Sequence, residues 1–199
     1  MAFEPLQPGF SQTDLLLHYL QREREHLIGT LDGLSEYDVR RPMTESGTSL
    51  LGIVKHVATV ELGYFCDCLG RPHGLDLAWN NEEVFEWSGD MYATADESRD
   101  MLLDVYRQSW TLGDANVREL GLDAAASVPW WREDQRETTV GRLVVHMLDE
   151  TAHHAGHADI VRESLDGRGG RDHDDFGDAE KWATYVARVQ AAADAHRDT

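Results

Sequence analysis

Cysteine is nearly absent from this chain: Cys66 and Cys68 are the only two among 199 residues. Their spacing in a predicted helix points them to different sides, so a disulfide between them is not expected. With no second pair, a zinc-knuckle arrangement has no support, and the two read as reduced, packed thiols. Basic residues are scarce as well, 18 against 37 acidic ones, which gives a formal net charge of −19 at pH 7. Such a surface repels phosphate backbones and anionic lipid heads, so nucleic-acid binding is not expected. No apolar run approaches the ~20 residues a membrane span requires. The opening "MAFEPLQPGF" has neither a basic n-region nor an apolar h-region, and no secretory signal is expected. A cytoplasmic protein with no membrane partner is the expectation. Convincing strand alternation, internal repeats and low-complexity linkers are also missing.

What is present is helical periodicity. Residues 13–31 carry Leu15, Leu16, Tyr19, Leu20, Leu27 and Leu31 at helical spacing. Residues 49–69 carry Leu50, Ile53, Val57, Val60 and Tyr64 on one stripe. A third helix is predicted over 94–120, opened by "TADE" as a capping box. A fourth is predicted over 139–165, and a last one over 178–195. Between them, 71–93 reads as an irregular excursion outside the bundle, packed onto it through Trp79, Phe85 and Trp87. "VPWWREDQRE" reads as a loop that carries Trp130 and Trp131. The fold class is therefore all-α, a four-helix bundle with an extra C-terminal helix. With 41% hydrophobic residues, residues 1–199 are read as a single domain with a full core.

The fourth helix contains "HMLDETAHHAGH", residues 146–157. Its predicted core stripe runs through Val140, Leu143, Met147, then 150 or 151, then 154, 158, 161 and 165. This places Glu150 and His154 one turn apart on an otherwise apolar face. A buried carboxylate must protonate, pair or bind a metal. Glu and neutral His at i, i+4 can share a divalent transition ion, or simply hydrogen-bond each other. A third ligand has to come from a facing helix, and His56, between Ile53 and Val60, is the candidate. Taken alone, His56 would read as a hydrogen-bonded core histidine. His153 falls off the stripe and reads as a solvated residue. Asp159 and Arg162 read as surface or interhelical salt-bridge partners, and His146 has no assigned role. The metalloprotease His-Glu-x-x-His motif is absent.

"TSLLGIVKHVATVELGYF", followed by "VPWW" and "TTVGRLVVHMLDETAHHAGHADIVRESLDG", resembles the DinB-like superfamily. More narrowly, it resembles the actinobacterial branch near mycothiol-dependent maleylpyruvate isomerase and mycothiol S-transferase. The resemblance implies a bundle of up-down-down-up topology, often dimeric, with a divalent metal, zinc or nickel, at one end. It implies the ligand set His56, Glu150 and His154. His157 falls where many members carry glutamine, in the neighbourhood of the site. The isomerases carry a further C-terminal domain for which residues 168–199 are too short, so isomerisation is not carried over.

A metal with three protein ligands keeps a position for water or substrate, and lowers the pKa of a thiol bound there. Three functions then stand open. The first is a metal-dependent transferase that joins a low-molecular-weight thiol, mycothiol by the resemblance, to an electrophile. The second is a hydrolase using the same ion on water, and the third a non-enzymatic metal-binding bundle. In the first, His157 is the candidate proton acceptor. Trp130 and Trp131 are candidates for a wall against the thiol cosubstrate or an apolar electrophile.

Overall fold

The computed structural model describes residues 9–80, 88–169 and 178–197. Among them, helices α1 (Gln12–Gly29), α2 (Glu36–Arg40), α3 (Leu50–Phe65), α4 (Arg99–Leu120), α5 (Val140–Asp166) and α6 (Ala179–Asp194) dominate. Strands β1 (Ala125–Ser127) and β2 (Glu137–Thr139) pair antiparallel, with Ala126 opposite Thr138. Phe85 and Trp87, expected to pack the excursion onto the body, lie outside the described residues.

The start of each core helix is set by a side chain ahead of it. Ser11, Ser49, Ser98 and Thr139 each accept a backbone N–H of the first turn, which satisfies a donor the helix cannot. The "TADE" signal is half right. The Glu97 carboxylate does accept the Thr94 N–H at 2.8 Å, yet α4 begins only at Arg99 because Ser98 caps Met101. The second predicted helix is also shorter than expected. It ends at Phe65, and a tight turn over Asp67–Leu69 follows, closed by Gly70 with φ 67°, a left-handed position that suits glycine.

Contacts at the helix ends give the directions. Asp14 at the start of α1 pairs with Arg118 at the end of α4, so these two run antiparallel. His26 late in α1 meets Asp159 late in α5 at 2.8 Å, which makes α1 and α5 parallel. Tyr64 at the end of α3 meets His146 early in α5, so α3 opposes α5. Asn116 near the end of α4 donates to the Phe65 carbonyl at the end of α3 (2.8 Å), so these two run together. The order is up-down-down-up, as the resemblance implies.

Helix α3 is the central element and is buried on nearly every side, including Leu50, Leu51, Ile53, Val54, Val57, Ala58, Leu62 and Phe65. Each of the leucine, isoleucine, valine and phenylalanine side chains contributes about 1.5–3 kcal/mol relative to exposure, so packing holds the bundle together. Inside this core Arg24 grips Glu61 in a bidentate pair at 2.8 and 3.1 Å and reaches Asp114 at 2.9 Å. On α3, His56, Val60 and Gly63 are only half-buried. That less covered strip of α3 faces α5 and carries the site.

Candidate metal centre

Helix α5 buries Met147, Thr151, Ala155, Ala158 and Val161. Of the two positions the sequence left open, 150 and 151, the stripe takes 151, and it continues through 155 and not through 154. Glu150 and His154 lie along its edge, with side chains 30% and 17% exposed. This correction matters chemically, because a pair at the edge of the core is reachable from solvent. His56 projects from α3 onto the same edge, 19% exposed.

The three side chains converge. A ligand atom from each of His56, Glu150 and His154 lies within 4.8 Å of the others. Glu150 Oε1 is 3.2 Å from His154 Nε2 and 3.6 Å from His56 Nε2, and the two imidazole rings meet edge-on at 4.8 Å between centroids. Burial lowers the His154 pKa, and the neighbouring His56 lowers it further, against the opposing pull of Glu150. The neutral ring that this favours is the form that ligates a metal. His154 Nδ1 is buried with no hydrogen-bond partner among the described residues. Two imidazoles and one carboxylate suit a divalent transition ion.

A residue the sequence reading missed completes the cluster. Asp90 Oδ2 accepts from His56 Nδ1 at 2.6 Å. Burial would raise the Asp90 pKa, but the hydrogen bond from His56, with the Lys55 ammonium nearby, more than offsets it, and the carboxyl is held below its usual range. A carboxylate on one ring nitrogen fixes the tautomer and leaves Nε2 for a ligand. Asp90 belongs to the irregular segment that precedes α4, and its place is built from two sides. Lys55 is buried on α3 and donates to the carbonyls of Gly89 and Tyr92 and to the Glu97 carboxylate. Gly52 lets the segment lie directly on α3, since a Cβ there would sit 2.0 Å from the Met91 carbonyl oxygen. Trp79, also buried, donates to Thr59 at 2.8 Å and lies under the Lys55 ammonium.

The other expected residues fall around this cluster. His157 is exposed one turn on, its ring 5.7 Å from that of His154. Trp130 and Trp131 both donate their indole N–H to Tyr64 Oη, at 3.2 and 2.9 Å. His146 packs edge-on to Tyr64 and Trp131, and joins an aromatic group beside the site. His153 is exposed over Asp149, as expected. Arg162 is more deeply placed than a surface ion pair. It is 5% exposed and links the Thr30 carbonyl to Asp166.

Residues 15–167 match the family model described as Mycothiol-S-transferase. The chain belongs to that family. The match spans α1 to α5 and so contains His56, Asp90, Glu150 and His154. Family membership places the chain in the DinB-like, mycothiol-related group named from its motifs. Among solved structures, a conserved protein from Enterococcus faecalis is similar in fold, with a TM-score of 0.61 at 16% identity. The alignment covers 80% of this chain and 100% of that one. A search of the curated proteins finds no match. No helix among the described residues is long and apolar enough to cross a membrane.

Proposed function

We propose that this protein is a metal-dependent transferase that joins mycothiol to an electrophile. The observation that carries the reading is the convergence of His56, Glu150 and His154 within 4.8 Å, in a chain whose family is named for that thiol. Zinc is the first candidate for the ion and nickel the second. A divalent ion held there supplies an open coordination position and lowers the proton affinity of sulfur.

The residues divide the remaining work. His56 and His154 serve as neutral nitrogen ligands, and Asp90 orients His56. Glu150 is committed as a ligand and is no general base. His157, one turn from His154, is the group placed to take the thiol proton. Trp130 and Trp131 wall the approach from the α5 side. In the transfer the sulfur loses its proton, a sulfur–carbon bond forms, and the leaving group departs with its electron pair. The chain supplies no nucleophile of its own: burial, with Asp67 nearby, pushes the Cys66 and Cys68 thiols up to about 11 and about 12. Reduced thiols persist in the cytoplasm, where this reading places the protein.

The test joins elemental analysis of tag-free protein with conjugation of mycothiol to 1-chloro-2,4-dinitrobenzene. One divalent transition ion per chain and thiol-dependent product formation are expected. Steady ester or amide hydrolysis with no thiol requirement would favour the hydrolase instead.

A further inference from the structure

Beside the metal centre, between the β1–β2 turn and the first half of α5, lies an open cavity of about 610 Å³. Its lining is Trp131, Arg132, Gln135, Arg142, Val145, His146 and Asp149. The volume falls within the range of small-molecule sites, roughly 300–1,000 Å³. We propose that this cavity is the subsite for a neutral, polyhydroxylated portion of the thiol cosubstrate. The proposal rests on the thiol-transferase reading and adds where the rest of the thiol is held.

The chemistry of the lining selects the ligand class. Arg132, Arg142 and the Gln135 amide offer donors, while Asp149 and the Gln135 carbonyl offer acceptors. An anion would meet the arginines but also face Asp149. An apolar group could lie on Trp131 and Val145 but would leave Arg142, Gln135 and Asp149 without exchange for the water they lose. A vicinal diol gives and accepts hydrogen bonds and satisfies both kinds of group. The Arg142 guanidinium lies over the Trp131 ring at 4.8 Å. Stacking occupies its face and leaves its in-plane N–H edge for paired hydroxyls. The indole adds an apolar wall for the C–H side of a sugar or cyclitol ring.

Placement agrees with this. His146 lines the cavity one turn before Glu150. Asp149 and Arg142 point around α5 from the ligand face, because successive residues turn by about 100°. A ligand with its sulfur at the metal centre and its polyol in the cavity must span one to two turns, on the order of 5–10 Å. A bare cysteine derivative would reach the first place and not the second.

The experiment uses the full chain and two probes that divide the cosubstrate. The first is the thiol-free N-acetylglucosaminyl-inositol portion of mycothiol, kept neutral by its amide, followed by tryptophan fluorescence and calorimetry. It should bind saturably, and equally well after the metal is removed with a chelator. Arg142→Ala and Gln135→Ala should each weaken it by about fivefold, the worth of a hydrogen bond of ~1 kcal/mol, with His154→Ala leaving it unchanged. Acetate and inorganic phosphate should not displace it. Absence of saturable binding, displacement by those anions, or full binding by Arg142→Ala would overturn the cavity assignment. The second probe, N-acetylcysteine on cobalt-substituted protein, reports sulfur at the metal without needing the cavity. A sulfur signal with no polyol binding sinks the cavity alone. Polyol binding with no sulfur signal supports the cavity as a polyol site and sinks the thiol reading beneath it.

Discussion

The Nδ1–H of His56 donates to Asp90 Oδ2 over 2.6 Å, and this hydrogen bond joins an irregular segment to the central helix at the candidate metal centre. It sets which ring nitrogen of His56 is left for a ligand. Replacing Asp90 by alanine should weaken metal binding by roughly 10–100-fold with the helical content unchanged. Competition with a chromophoric chelator measures the loss, and ring-nitrogen NMR should show His56 no longer held in one tautomer. Unaltered affinity and a single retained tautomer would remove Asp90 from the account.

Gly52 makes the same point from the other side of the contact. Alanine is the better helix former by about 1 kcal/mol, so Gly52→Ala should favour α3 taken alone. Its Cβ, however, would fall 2.0 Å from the Met91 oxygen, and the segment that carries Asp90 must shift. Metal affinity is expected to fall while far-ultraviolet circular dichroism stays helical. Affinity equal to the parent would show that the segment does not need this close approach.

The cysteines are expected to be bystanders. Burial raises Cys66 to about 11 and Cys68 to about 12, so thiolate appears only as pH rises towards those values and is negligible at pH 8. Ellman's reagent should react slowly with native protein at pH 8 and fully after unfolding. The double variant Cys66→Ala, Cys68→Ala should retain thiol transfer. Loss of transfer with the fold and metal intact would give the chain a nucleophile this mechanism lacks.

The buried Arg24–Glu61 pair, 0% exposed on both sides, should act on stability and not on chemistry. Arg24→Met leaves the buried Glu61 with only the Ser109 hydroxyl as a partner and should cost about 3–5 kcal/mol in urea unfolding. Adding Glu61→Leu should restore much of that, because the stranded charge is gone. No recovery in the double variant would mean that the pair contributes more than mutual neutralisation.

Much of this was legible in the chain and part was not, for physical reasons. The i, i+4 pair Glu150 and His154 stood out because polar groups interrupted an apolar period, and His56 because a metal needs a ligand from a facing helix. The middle of the stripe could not be fixed, with 150 and 151 both open and 154 taken in place of 155, since Thr151 and Ala155 are small and give a weak apolar signal, though both are buried. Asp90 lies 34 residues from His56 in an irregular segment, where no periodicity marks a partner. Its only sequence clue was indirect, as a ligating histidine requires an acceptor on its second nitrogen. The hairpin escaped notice because strands of three residues are too short to show alternation. The α4 start was misread because Glu97 serves two masters, the Thr94 N–H and the Lys55 ammonium.

The central claim is that His56, Glu150 and His154 hold an ion to which a thiol sulfur binds as thiolate. Cobalt titrated into metal-free protein, followed by mycothiol near pH 7, tests it most directly. The account predicts one cobalt per chain and, on adding the thiol, a sulfur-to-metal charge-transfer band in the near ultraviolet. Both should be lost in a folded His154→Ala variant. Stoichiometric cobalt in that variant, or no new band in the parent protein at saturating mycothiol, would contradict it.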